Sequence, residues 1–273
     1  MRSKVFIFKF LTLVFSLPAF SQYLEIGAFG GGSHFVGDVG NHSLHLPQGY
    51  AVGGLVKYNF NRHWALRVQV NYGTLAADDS EAQEDFRLNR NLQFQSDILE
   101  GALMLEFNFL EYEPGTKKNQ TPYLLGGFGI FKFNPKAEFD GELHELQPLG
   151  TEGQGSSGTS ASPYAMGSSF FAFGLGYKWA IGNVTTIGIE STFRRTYTDY
   201  LDDVSGQYGD PFAIENAHGD VAAALSDRSL TQTPKVDAYR GNPNNDDWYV
   251  FTGVTLQFKF GELYEKCSSF IRR

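Results

Sequence analysis

The sequence predicts an all-β protein, an eight-stranded antiparallel up-and-down transmembrane β-barrel with long extracellular loops and short periplasmic turns. Segments of about ten residues alternate between apolar and mixed faces, and the connections between them are alternately long and short. The 273 residues include 25 Phe and 14 Tyr, only 19% are charged, and the mean hydropathy is −0.26. No run of about 20 apolar residues offers a helical membrane span.

The N-terminal segment has the order of a secretory signal peptide. Arg2 and Lys4 precede an apolar stretch, Pro18 breaks it, and cleavage is expected after Ser21. We therefore predict export and integration into the outer membrane of a Gram-negative cell. The predicted organisation is a cleaved signal peptide at 1–21, a barrel at 22–260 and a periplasmic C-terminal tail at 261–273.

Four alternating segments form the N-terminal half of the predicted barrel, at residues 23–35, 50–60, 64–72 and 98–109. Glycines weaken the alternation of the first segment. The third is the clearest, because every second residue from Trp64 to Tyr72 is apolar.

The other four strands are predicted at residues 123–133, 170–179, 185–194 and 248–260. In the first of these strands, we assign Tyr123, Leu125, Phe131 and Phe133 to the apolar outward face. Lys132 is then expected to face inward. The connections after odd-numbered strands are long and polar. One of them contains the low-complexity string GTEGQGSSGTSAS, which we expect to be mobile.

Charged residues indicate which face lines the lumen. A Lys or Arg facing lipid costs about 2–4 kcal/mol at the bilayer midplane, so the charged face belongs inside. There the charges can pair and fill a narrow barrel together with Phe29, Phe128, Phe170 and Phe251. A soluble sheet would explain the alternation but not the signal peptide and the terminal aromatic residues. The predicted lumen charge network is Glu25, Lys57, Arg67, Glu100, Glu106, Lys132, Lys178, Glu190, Arg194 and Lys259.

The charge balance restricts the partners. Without Arg2, Lys4 and Lys9, the mature chain keeps 19 of its 22 basic residues against 30 acidic ones, a net charge of −11. Nucleic acid is therefore not an expected partner, whereas outer-membrane lipid and lipopolysaccharide are.

No motif requires catalysis, a cofactor or a metal ion, so none of these is predicted. The string GGFG lies within a strand and opens no helix, which argues against a dinucleotide loop. Two enzyme alternatives are a lipid-modifying barrel using Ser33 and His34, and a proteolytic barrel using acid and His groups. A small pore or an adhesin is a further alternative. The loop groups concerned are Asp78, Asp79, His218 and Asp220, and the acidic pairs Asp202–Asp203 and Asp246–Asp247 are expected to be solvated.

Three strings, at residues 23–40, 121–135 and 240–261, resemble the PorG family of outer-membrane barrels, which is associated with type IX protein secretion and gliding motility. The resemblance implies a non-enzymatic component that associates with a periplasmic ring formed by a lipoprotein and its partner. Barrel geometry places the tail on the periplasmic side, where it is either a docking peptide for such a partner or a frayed chain end. Its candidate contact residues are Lys266, Cys267, Arg272 and Arg273.

Overall fold

A computed structural model of the protein describes residues 23–41, 47–157, 161–231, 236 and 238–262. The predicted signal peptide and the tail residues Lys266, Cys267, Arg272 and Arg273 lie outside the described residues. Within the described part, no helix is long and apolar enough to cross a membrane.

The described chain contains nine strands: β1 (Tyr23–Val36), β2 (Gly49–Asn59), β3 (Trp64–Asp78), β4 (Gln93–Asn108), β5 (Gln120–Phe139), β6 (Glu142–Glu145), β7 (Gly167–Ile181), β8 (Thr185–Thr196) and β9 (Trp248–Glu262). All pairings are antiparallel, and eight of these strands form a closed barrel because β1 pairs with β9. The remaining strand, β6, pairs only with the end of β5. The predicted fold class is therefore confirmed. The last strand extends two residues past the predicted barrel end, since Glu262 pairs with Tyr23.

Long connections follow β1, β3, β6 and β8, all at one end of the barrel. In outer-membrane barrels the long loops are extracellular, so we call this the extracellular end. These connections carry three short helices, α1 (Asp85–Arg90), α2 (Pro211–His218) and α3 (Asp220–Ser226). At the opposite end, short turns join β2 to β3 and β7 to β8.

The outer face of the barrel is apolar and exposed. Val68 and Val70 are 51% and 55% exposed, and Leu175 is 60% exposed. Aromatic residues mark both ends of this belt, for example Trp64 and Tyr72 on β3. These two residues are eight positions apart, which corresponds to about 20 Å of membrane depth for a tilted strand. Such a surface is suited to lipid and not to water.

One prediction about the inner face is wrong. In β5 the inward residues are Tyr123, Leu125, Phe131 and Phe133, each 4% exposed or less, whereas Lys132 lies exposed on the outer face. Phe128 also faces outward, at 64% exposure.

The cause is that both faces of β5 are apolar, so alternation cannot tell them apart. Pairing with β4 decides the orientation, because Leu125 lies opposite Glu106 and Phe131 opposite Glu100, and both glutamates are buried inside. The inner face also has a glycine where space is short: a Cβ on Gly129 would lie 2.3 Å from the ring of Phe170.

Lys132 lies near the extracellular edge of the apolar belt. It pairs with Leu99 on β4, and Leu99 pairs with Tyr72 on β3, which marks that edge. Replacing Lys132 with Leu should therefore change the free energy of unfolding by less than about 1 kcal/mol. Urea unfolding of the barrel in lipid vesicles measures this. A loss of about 3 kcal/mol or more would instead indicate a buried ion pair of the kind found in the lumen.

Candidate functional site

The periplasmic third of the lumen holds two lysines and two glutamates. Lys57 Nζ lies 2.7 Å from Glu25 Oε2 and 3.4 Å from Glu106 Oε1, and Lys178 pairs with the same Glu106 oxygen. All four side chains are 1% exposed or less. Their charges cancel, which is what permits burial in a low-dielectric interior.

A second ion pair crosses the barrel. The guanidinium of Arg67 on β3 donates two hydrogen bonds to Glu190 on β8, of 2.7 and 2.8 Å. Four strand positions separate β3 and β8 around the closed sheet, so they lie on opposite walls. The hydroxyl of Tyr123 donates to Glu190 as well, at 2.7 Å.

A third ion pair lies nearer the extracellular end. Arg194 donates to both oxygens of Glu100, at 2.8 and 2.9 Å. Glu100 also accepts from Asn71 and from the Tyr249 hydroxyl, each at 2.7 Å. The guanidinium of Arg194 stacks 4.2 Å from the ring centroid of Phe251, which contributes a cation–π attraction.

These three clusters account for most of the predicted network. The structure buries Glu25, Lys57, Arg67, Glu100, Glu106, Lys178, Glu190 and Arg194 within the lumen. Lys259 is half-buried at the periplasmic mouth, 4.7 Å over the ring of Tyr23, and Lys132 is the member that faces outward. Buried aromatic rings, including Phe29, Phe170 and Phe251, pack around the Arg194–Glu100 pair and occupy the lumen there. The lumen is thus packed with side chains.

The periplasmic mouth is covered by the turn between β4 and β5. Its Tyr112 is 1% exposed, and its hydroxyl lies 2.6 Å from the Thr186 hydroxyl. Lys178 Nζ lies 4.4 Å over the Tyr112 ring. The turn, which the sequence presents as a polar Pro-Gly loop, therefore folds back and inserts an aromatic ring into the barrel.

The extracellular loops pack into one structure, which we call the extracellular cap, formed by the described residues of the connections after β1, β3, β6 and β8. Arg90 links three of these connections. It pairs with Asp79 at 2.7 Å and donates to the carbonyl oxygens of Asp38, at 2.7 Å, and Arg240, at 2.6 Å. Arg240 in turn donates to the Asp203 carbonyl at 2.5 Å and lies 3.3 Å from Glu152.

The acidic pairs expected to be solvated are in fact largely buried within the cap. Asp202 and Asp203 are each 1% exposed and Asp247 is fully buried, whereas Asp246 remains partly exposed beside Arg195. Burial raises the pKa of Asp203 to about 6, against the opposing attraction of Arg240. The described start of the low-complexity loop is packed as well, since Thr151 is fully buried and its hydroxyl donates to Asp203.

The residues of the two enzyme alternatives are engaged elsewhere. The hydroxyl of Ser33 donates its proton to the carbonyl oxygen of Thr74 on β3. Asp79 is bound to Arg90, and His218 Nε2 lies 2.9 Å from the carbonyl oxygen of Gln154. Among the described residues, no three His, Cys, Asp or Glu side chains are arranged to hold a metal ion.

A family model described as "Domain of unknown function (DUF6089)" matches residues 3–217 and 221–269. The chain belongs to this family. None of the curated proteins compared with the chain matches it.

Several solved structures are similar to this DUF6089 chain. OprG of Pseudomonas aeruginosa is 13% identical with a TM-score of 0.40, covering 88% of this chain and 96% of its own. The N-terminal barrel domain of P. aeruginosa OprF is 12% identical with a TM-score of 0.38, covering 89% and 100%. Ail, the attachment invasion locus protein of Yersinia pestis, is 10% identical with a TM-score of 0.39, covering 88% and 98%. The assignment of the barrel itself rests on the strand pairing described above.

Proposed function

We propose that this protein is a non-enzymatic integral component of an outer-membrane assembly, and that the assembly is the type IX secretion and gliding machinery. In this proposal the barrel anchors the assembly and binds a periplasmic ring made of a lipoprotein and its partner. The observation that carries the proposal is the filled lumen. Because buried ion pairs and aromatic rings occupy the interior, the barrel can act through its two faces and not by passing solute.

The periplasmic face supports a binding role. Its β4–β5 turn is held in place by the buried Tyr112, and it displays charged groups around that anchor. Arg62 lies 2.8 Å from Glu113 and 3.3 Å from Glu111, and Lys118 pairs with Glu111. These largely exposed ion pairs give the periplasmic face a mixed-charge surface that a protein partner could match.

Lipopolysaccharide is the proposed lipid partner of the outer leaflet. Lys132 and Arg195 both face outward near the extracellular edge of the belt, and the Arg195 side chain is 55% exposed. Basic groups at this depth suit the phosphates of an anionic lipid.

The test is affinity purification from detergent-solubilised outer membrane, followed by identification of the proteins retained. The intact chain should retain the ring lipoprotein and its partner, and deletion of 263–273 should reduce that retention severalfold while the barrel stays folded. Substitution of Asp140, on the extracellular β5–β6 turn, by Asn provides a control that should retain the ring fully. Recovery of the intact barrel alone would contradict the proposal.

Conductance separates the proposal from its pore alternative. The wild-type barrel in a planar bilayer should give no stable single-channel current, because the lumen is packed. Steady ohmic channels from the folded protein would favour the pore.

A further inference from the structure

The extracellular cap buries more carboxyl groups than it has buried arginines to neutralise them. Its two buried arginines already have partners: Arg90 pairs with Asp79, and Arg240 lies 3.3 Å from Glu152 and 3.7 Å from Asp203. A second group of aspartates meets where the connection after β1 packs against the connection between β8 and β9. Its members are Asp38, Asp199, Asp202 and Asp247.

Backbone contacts place Asp202 and Asp247 against the chain around Asp38, and the charge of Asp199 acts on Asp247. Asp202 accepts hydrogen bonds from the amides of Val39 and Val204, each at 3.0 Å, so it lies against the residue that follows Asp38. Asp247 accepts from the Leu201 amide at 3.0 Å. A Cβ on Gly37 would lie 2.1 Å from Asp247 Oδ1, so Asp247 packs against the residue that precedes Asp38.

Several of the oxygens in this group have no hydrogen-bond partner of good geometry. Asp247 is fully buried, and its Oδ1 has no hydrogen-bond partner. Asp199 is 9% exposed, and the Ser205 side chain nearby offsets only part of the effect of burial, since neither carboxyl oxygen of Asp199 has a partner with hydrogen-bonding geometry. A buried carboxylate without a partner is costly, and like charges at close range add to the cost. Neutral carboxyl groups avoid both costs.

We propose that Asp199, Asp202 and Asp247 form a proton-operated latch, which keeps the extracellular cap closed when they are protonated and releases it when they ionise. The charged groups that surround the latch are Asp38 from the connection after β1, Arg90 from α1, Glu152 from the connection after β6, and Asp246 beside β9. Three of these four are acidic, so the surroundings favour the protonated form. The latch does not depend on the proposed partner of the barrel.

The direction of the pH dependence follows from the raised pKa values. Burial raises the pKa of Asp199 to about 7 and holds those of Asp202 and Asp247 well above the ordinary value. When the cap opens, each carboxyl returns towards a pKa of about 4. Above about pH 4, the closed cap therefore binds more protons than the open cap. The free energy that favours the closed cap falls as the pH rises from about 4 through 7. Each proton released on opening favours the open cap about tenfold more per pH unit.

Hydrogen exchange followed by mass spectrometry tests the latch on the full mature barrel in vesicles, with rates corrected for the intrinsic pH dependence of amide exchange. Protection of amides in residues 199–205 should fall at least about tenfold between pH 5 and pH 7. Protection in β3 should stay constant over that range and serves as the internal reference.

The variant Asp199→Asn should make the pH dependence less steep and raise cap protection at pH 7 above the wild-type value, because one of the three titrating carboxyl groups is lost while Asp202 and Asp247 remain. The control Asp140→Asn changes an exposed aspartate on a turn with a φ of 52°, a conformation that Asn also adopts, and should behave as wild type. Equal cap protection at both pH values in the wild type would overturn the latch, as would an Asp199→Asn variant with the wild-type slope. A slope that disappears on adding EDTA would also overturn it, because a bound cation would then be the controlling species.

Discussion

Replacing Arg67 by Met should lower the free energy of unfolding of the barrel by about 3–5 kcal/mol, because it leaves Glu190 buried without its counter-charge. The two side chains are 1% and 2% exposed and joined by two hydrogen bonds. Only the Tyr123 hydroxyl would remain as a described side-chain donor to Glu190. Urea unfolding in lipid vesicles, followed by fluorescence of the three tryptophans, measures the loss.

The double variant Arg67→Met with Glu190→Gln separates charge from packing. Gln has nearly the size of Glu, carries no charge and still accepts the Tyr123 hydrogen bond. Removing both charges of a buried pair is often close to neutral, so the double variant should recover more than half of the loss. If it is as unstable as the single variant, the contribution of Arg67 lies in packing, and the explanation by an uncompensated charge fails.

The Arg67–Glu190 pair also illustrates what the sequence can predict. Alternation within each strand places both residues on the inner face, because period two is fixed by the pleat of a strand. Alternation does not identify which residues pair, since Arg67 and Glu190 are 123 positions apart in the chain. Their pairing depends on the heights at which β3 and β8 place them on opposite sides of the barrel. The set of buried charges was therefore largely predictable, whereas its division into three clusters was not.

Lys132 and the cap aspartates were misplaced for two different physical reasons. The β5 strand has two apolar faces, so hydrophobic periodicity is silent about its orientation, and only pairing with Glu100 and Glu106 on β4 decides it. Asp202 and Asp247 lie in long polar connections, where solvation is the usual state of a carboxylate. Their burial results from packing between connections that are remote in the chain, for which the sequence carries no local signal.

A charge placed in the middle of the outer apolar belt should destabilise the barrel about as much as breaking the ion pair in the lumen. Val68 is 51% exposed on the outer face of β3, opposite Val56 on β2 and Leu103 on β4, and midway between Trp64 and Tyr72. The variant Val68→Arg should therefore lose about 2–4 kcal/mol of unfolding free energy in vesicles.

The matched control is Ala76→Arg, because Ala76 lies on the same strand and the same face, four residues beyond Tyr72. At that height the guanidinium reaches the headgroups, so the loss should be below about 1 kcal/mol. The two variants place the same Arg on the same face of the same strand, so their main difference is depth in the membrane. Equal losses at both positions would mean that hydrocarbon does not surround β3 between Trp64 and Tyr72, and the outward assignment of the apolar face would have to be abandoned.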